Sequence, residues 1–246
     1  MAYLGCLTSN CNENEVGLAL AKNVDGPWVK YDKNPFCNYR SSVDYGSSGA
    51  NYWGYGQPSL VNIDTKGHVL LFYTKGIYSG TYTQVEEWDL TNMDSPVKLN
   101  EAKVSDGGAI GILNNADFAY DHVNQKIYVI KEDHTNGWYP NDGGVDWISG
   151  SVSLYYMQIN DITSVVRELN KAAWSNVATI GESATGYARN HNAGILTDPY
   201  GRLENPAYIP ILYTMSDRAT DYPNWNKGGQ WPALHTYRIH GYVIEK

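Results

Sequence analysis

Two short stretches crowd polar and titratable side chains: Asn114-Asn115-Ala116-Asp117 and Arg189-Asn190-His191-Asn192. A carboxylate and an imidazole are side chains suited to holding and passing a proton. Asp117 is thus the first candidate for a site carboxylate, with His191 and the nearby Glu182 as candidate proton donors. Gln57, Asn114, Asn115, Asn190 and Asn192 carry amides that both donate and accept, which suits hydroxyl-rich ligands. Arg189 offers a planar fork for a ligand carboxylate. Each has a blander reading. Asp117 could accept backbone N–H groups in a turn, and His191 could be a bonded structural histidine. Arg189 could form an ion pair between sheets, and Glu182 could be a solvated loop charge.

These residues need elements that bring them together. Runs rich in β-branched and aromatic residues predict strands over Tyr3–Ser9, Val16–Lys22, Leu60–Ile63, His68–Thr74, Ile127–Lys131, Ser151–Gln158, Ile209–Met215 and Leu234–Ile239. Turn formers such as Asp25-Gly26-Pro27, Asp64-Thr65-Lys66-Gly67 and Asp198-Pro199-Tyr200-Gly201 separate many of them. A helical pattern covers Asp161–Lys171. The class is all-β.

An internal repeat runs through the chain. The segments opening at Gln57, Asn114 and His191 share a polar start, a short apolar strand and a turn aspartate. Superposing Asp64, Asp121 and Asp198 aligns Gln57, Asn114 and His191, at intervals of 57 and 77 residues. That spacing fits the four-stranded blades of a β-propeller with loop insertions, here one domain over residues 1–246. In such an arrangement the polar residues opening each innermost strand meet at one mouth of the central channel.

Composition narrows the partners. The net charge of −8 argues against sequence-independent nucleic-acid binding, and no run of eighteen apolar residues predicts a membrane span. The start, Met-Ala-Tyr-Leu-Gly-Cys, does not read as a signal peptide. Cys6, Cys11 and Cys37 lack metal-ligand spacing; a Cys6–Cys11 or Cys11–Cys37 bridge is open to them, and reduced core thiols are the plainer reading. Glu86 and Glu87 alternate on a strand, so one at most faces the channel; Glu132-Asp133-His134 is set aside as a metal cluster because neighbours on a strand point opposite ways. Tyr (21) and Trp (8) far outnumber Phe (3), favouring rings with a polar tip.

The segment Val16-Gly17-Leu18-Ala19 through Gly26-Pro27-Trp28 resembles a stretch of the five-bladed propeller glycoside hydrolases. That superfamily includes arabinanases, arabinofuranosidases, β-xylosidases and fructosidases. Gly67–Tyr73 is similar to their second-strand pattern. The resemblance implies three carboxyl groups around a sugar, with Asp117 where a pKa-tuning aspartate is expected and histidine, at His191, where an acid is expected. Trp53 and Tyr55, just before Gln57, are expected on a loop at the same mouth, where their rings could stack on sugar faces or instead pack between blades. No cofactor is expected beyond a structural channel ion such as calcium. The resemblance also implies a secreted or periplasmic protein. The chain supplies roughly three and a half blades, so the propeller is expected to be incomplete at its N-terminus, with self-association as one way to close it.

The expected function is therefore that of a glycoside hydrolase acting on a plant- or microbial-type polysaccharide or oligosaccharide. A non-catalytic sugar-binding propeller and a polysaccharide lyase using His191 or a tyrosine with Arg189 are the rivals. A purely structural propeller is a third.

Overall fold

The computed structural model describes residues 2–6, 14–38, 54–77, 80–106, 115–133, 149–216 and 238–246. Trp53, Asn114 and the aromatic residues Tyr78, Trp138, Tyr139, Trp225 and Trp231 lie outside them, as do Cys11 and Leu234. Among the described residues no helix is long and apolar enough to cross a membrane.

The structure is all-β. The first sheet contains β1 (Ala2–Cys6), β2 (Asn14–Leu20) and β3 (Val29–Lys30), followed by β4 (Gly54–Asn62), β5 (His68–Ile77), β6 (Gly80–Asp89) and β7 (Val97–Lys103). Its two parts join through one parallel pair, Asn14 with Gly54. Gly54 has φ +88°, and a Cβ there would lie 2.5 Å from the Asn14 backbone, so glycine permits the junction. The second sheet is a four-stranded antiparallel meander of β8 (Asp117–Asp121), β9 (Lys126–Asp133), β10 (Ser151–Gln158) and β11 (Ser175–Ile180). The third contains β12 (Arg189–Ile195), β13 (Tyr208–Ser216) and β14 (Arg238–Glu245).

Strand periodicity explains the stacking. In β9, Ile127 and Val129 enter one cluster with Val61, Leu70, Phe72, Val85 and Phe118. Tyr128 and Ile130, on the other face, join Leu154, Ile195, Ile209, Ile211 and Tyr213. The sheet β8–β10 is thus apolar on both faces, which is why Ile127–Ile130 reads as an unbroken hydrophobic run. Phe72 and Phe118 stack across the first boundary, with ring centroids 3.8 Å apart.

The turn aspartates repeat as expected, and the reason is chemical. Asp64 accepts the N–H groups of Lys66 and His68, Asp121 those of Val123 and Asn124, and Asp198 those of Tyr200 and Arg202. Each carboxylate replaces the backbone partners that the tight turn removes.

The structure also revises several boundaries. β2 stops at Leu20 because Asn23–Gly26 turns, Gly26 N–H bonding to Asn23 O at 3.0 Å. The helical pattern at Asp161–Lys171 splits into a 3₁₀ turn, Ile162–Ser164, and a short helix α1, Val165–Leu169, whose Val165, Val166 and Leu169 are buried. A four-residue helix α2, Glu182–Thr185, was not anticipated.

The third turn locks the base of the stack. Tyr200 O accepts from Asn62 N–H, Gly201 O from Tyr120 N–H, and the Arg202 guanidinium donates to Asn62 O and Ile63 O. The chain approaches so closely that a Cβ on Gly201, at φ +72°, would sit 2.6 Å from Leu60 O. Gly201→Ala should therefore cost more than the roughly 1–2 kcal/mol of a left-handed non-glycine residue. A melting temperature lower by at least about 2–4 °C is expected by calorimetry.

Candidate functional site

Strands β4, β8 and β12, one from each sheet, come together at Asp117. Its Oδ1 accepts from the Ser59 hydroxyl of β4 at 2.7 Å, and its Oδ2 accepts from the Ile195 N–H of β12 at 2.8 Å. Ser59 Oγ in turn accepts from Phe118 N–H at 3.0 Å. Gly194 makes room, since a Cβ there would stand 3.4 Å from Asp117 Oδ2. Asp117 is half-buried, and burial pushes its carboxyl above the usual aspartate range against the lowering effect of its hydrogen bonds.

Two residues before each of Ser59, Asp117 and Gly194 the backbone turns left-handed, at Gln57 (φ 50°), Asn115 (φ 47°) and Asn192 (φ 49°). The ladders slip at the same points, between Gly56 and Ser59 and between His191 and Gly194. These bulges correct the alignment made on the turn aspartates: Gln57 matches Asn115 and Asn192, not Asn114 and His191. The stretch from bulge to turn is one residue longer in β4, so superposing the turns shifts that strand out of phase. Such outliers cost energy and concentrate where a side chain must be re-aimed. Gln57 Oε1 is buried with no hydrogen-bond partner among the described residues.

His191 lies at the same end, 2% exposed, with Nδ1 2.8 Å from Oε1 of Glu132 on β9. The same oxygen accepts from the Asn192 N–H at 3.2 Å. Glu132 is fully buried, and it is the site residue that the sequence reading set aside. Asp133 does point the other way: its Oδ2 accepts from the Ser151 and Ser153 hydroxyls at 3.4 and 3.3 Å, while His134 lies outside the described residues. The missed signal was parity. Glu132 shares the strand face of Tyr128 and Ile130, which packs towards β12.

The other expected residues fall as follows. Asn190 is buried, its amide NH₂ donating to Gly150 O and Tyr187 O. Arg189 is also buried, while Asn192 is exposed. Glu182 stands exposed on the first turn of α2, outside both the Asp117 hydrogen bonds and the His191–Glu132 pair. Tyr55 offers no open face: its ring is 6% exposed, lies 5.2 Å from Tyr73 and has the Lys75 ammonium 4.9 Å from its centroid.

Glu86 and Glu87 occupy opposite faces, and both are engaged away from Asp117. Glu86 binds Tyr73, Trp88 and Lys98 and accepts from the Cys37 thiol, which burial keeps protonated. Glu87 binds His68 at 2.7 Å and Asn100 at 2.6 Å. A groove of about 570 Å³ opens beside Glu87, Asn100, Asp161 and Arg167, away from Asp117. Among the described residues no group of three or more His, Cys, Asp or Glu is placed to hold a metal ion.

The sequence matches no known family profile and no curated protein. Among solved structures it is similar to an endo-arabinase from Bacteroides thetaiotaomicron VPI-5482, at 12% identity and a TM-score of 0.42. It is also similar to an exo-β-1,3-galactanase from Phanerochaete chrysosporium solved with β-1,3-galactotriose, at 15% identity and a TM-score of 0.41. The alignments cover 95% and 94% of this chain but only 66% and 39% of those chains.

A raised carboxyl pKa has a definite sign in stability. The folded state then keeps Asp117 protonated longer than the unfolded chain does, so stability is greatest below the unfolded value and falls as pH rises through the folded one. Asp117→Asn should flatten that decline. Its amide can donate to Ser59 while its oxygen accepts from Ile195, so the melting temperature at neutral pH should not drop. Thermal melts of both proteins from acid to neutral pH provide the check.

Proposed function

We propose that the chain is a β-propeller-type glycoside hydrolase whose site lies at the end shared by β4, β8 and β12. In this reading β4–β7 and β8–β11 are four-stranded blades, β12–β14 forms three strands of the next, and β1–β3 belongs to the preceding one. The observation that carries it is the Asp117 carboxyl held between two neighbouring inner strands, with the His191–Glu132 pair at the same end.

Glycoside hydrolysis needs one group to protonate the leaving oxygen and an ionised carboxylate to activate water or attack the sugar. The described residues offer candidates for the first of these and for tuning it. Asp117, kept neutral longer by burial, would hold or tune the proton inventory. His191 is the proton donor, with Glu132 fixing its ring and balancing the imidazolium charge. The amides of Gln57, Asn115 and Asn192 open the same strands and suit sugar hydroxyls. The natural substrates are neutral oligosaccharides or polysaccharides met outside the cytoplasm.

Asp117→Asn should reduce the release of reducing sugar from a panel of arabinan, galactan, xylan and levan by at least about a hundredfold. Undiminished turnover in that variant would remove Asp117 from the chemistry.

A second reading, sugar binding without cleavage, is favoured by a specific observation: both Asp117 oxygens already accept hydrogen bonds, and Glu132 is fully buried. Wild-type protein that binds a panel member by calorimetry without cleaving it would establish this reading. In either case Gln57→Gly, which keeps the left-handed backbone and removes the amide, should weaken glycan binding about tenfold with little change in melting temperature. The lyase reading has less support, because the Arg189 side chain it needs for a uronate is fully buried.

A further inference from the structure

We propose that the groove between β7 and α1 is a second glycan-binding site, holding an uncharged polysaccharide chain apart from the Asp117 mouth. This rests on the reading of the protein as glycan-active but uses none of the mouth residues. Asp117 meets the first sheet at β4, and the groove lies two strands further out, at β6 and β7.

Local structure builds its walls. Asn100 and Ala102 of β7 sit opposite Glu87 and Val85 of β6, so all four share one strand face. Glu87 is buried there, its carboxylate taken by His68 and Asn100. The facing wall is α1, fastened to β7 by two hydrogen bonds. Asn170 Nδ2 donates to Lys103 O at 2.8 Å, and Ser105 N–H donates to Leu169 O at 2.9 Å. Ala102 and Val166 supply apolar surface for the C–H faces of a sugar ring.

The volume of about 570 Å³ lies within the roughly 300–1,000 Å³ usual for ligand clefts. A second groove of about 420 Å³ opens beside Gln158 and Lys171, and Arg167 lines both. A ligand that crosses Arg167 is therefore an extended chain.

The hydrogen-bonding capacity left over selects its chemistry. Asn100 and Asn170 each donate from the amide to the protein, and their Oδ1 atoms accept nothing among the described residues. Gln158 in the second groove is held likewise, its Nε2 donating to Asn124 O and Gln125 O. The Arg167 guanidinium donates no hydrogen bond among the described residues, although its charge helps hold the Asp161 carboxyl low. Fixed acceptors thus flank a guanidinium fork. Sugar hydroxyls donate to the first and accept from the second. Charge disfavours other polymers: an anionic chain would face Glu87, Glu101 and Asp161, and a cationic one Arg167 and Lys171. Amides already pinned by the protein also lower the ordering cost of binding.

Affinity electrophoresis and calorimetry with soluble arabinan, galactan, xylan and levan test this. Arg167→Ala should weaken binding of the preferred polysaccharide about tenfold, with circular dichroism and melting temperature unchanged. Combined with Gln57→Gly, which acts at the mouth, it should weaken binding about tenfold further, because the two sites are separate. Binding should survive about 1 M salt, as suits an uncharged ligand. If Arg167→Ala binds every polymer as the wild type does while Gln57→Gly does not, the groove is overturned and the mouth stands. Weakening by Arg167→Ala but not by Gln57→Gly would support the groove and overturn the mouth. A wild-type chain that binds no panel member would overturn both, and binding abolished by salt would overturn the uncharged ligand class.

Discussion

One carboxylate links strands from three different sheets of this protein. Asp117 accepts from a hydroxyl on β4 and a backbone N–H on β12, so three strands from three successive sheets share one acceptor. Hydrogen bonds to an ionised acceptor are about twice as strong as neutral ones, yet the same burial that concentrates them resists ionisation. In Asp117 burial dominates, and its carboxyl is pushed up. A group held between these opposing effects ties the strands together while burial favours its protonated form.

The tie is balanced at the opposite end. There the Asp198–Leu203 turn bonds to the backbones of β4 and β8. Between the two ends lies the doubly apolar sheet β8–β10, with one cluster on each face. The polar positions are thus set by an apolar stack fastened at top and bottom. His191 and Glu132 exploit it by bridging β12 and β9 at 2.8 Å, a contact that neither strand could make alone.

Much of this was legible in the chain. The all-β class followed from short β-branched runs, and the turn aspartates followed from their spacing because their chemistry is local. The bulges were less visible. Gln57, Asn115 and Asn192 match by backbone angle, and an extra residue in β4 hid that match from a comparison anchored on the turns. Tyr55 read as an open aromatic platform, but residues distant in the sequence, Tyr73 and Cys37 among them, bury it. Glu132 was hidden for a different reason. It was judged with Asp133 and His134, whereas its real partner is 59 positions away. Parity identifies the face a strand residue occupies, but only the stacking order reveals what that face meets.

We propose that the Asp117 carboxyl is a shared, partly desolvated group at a glycan-binding mouth. Carboxyl-carbon NMR of Asp117, titrated against pH with and without a saturating arabinan oligosaccharide, tests it most directly. The account predicts a midpoint above the ordinary aspartate value of about 3.9, displaced further when sugar is bound. A midpoint at or below that value, unmoved by arabinan or by any other neutral glycan, would contradict it.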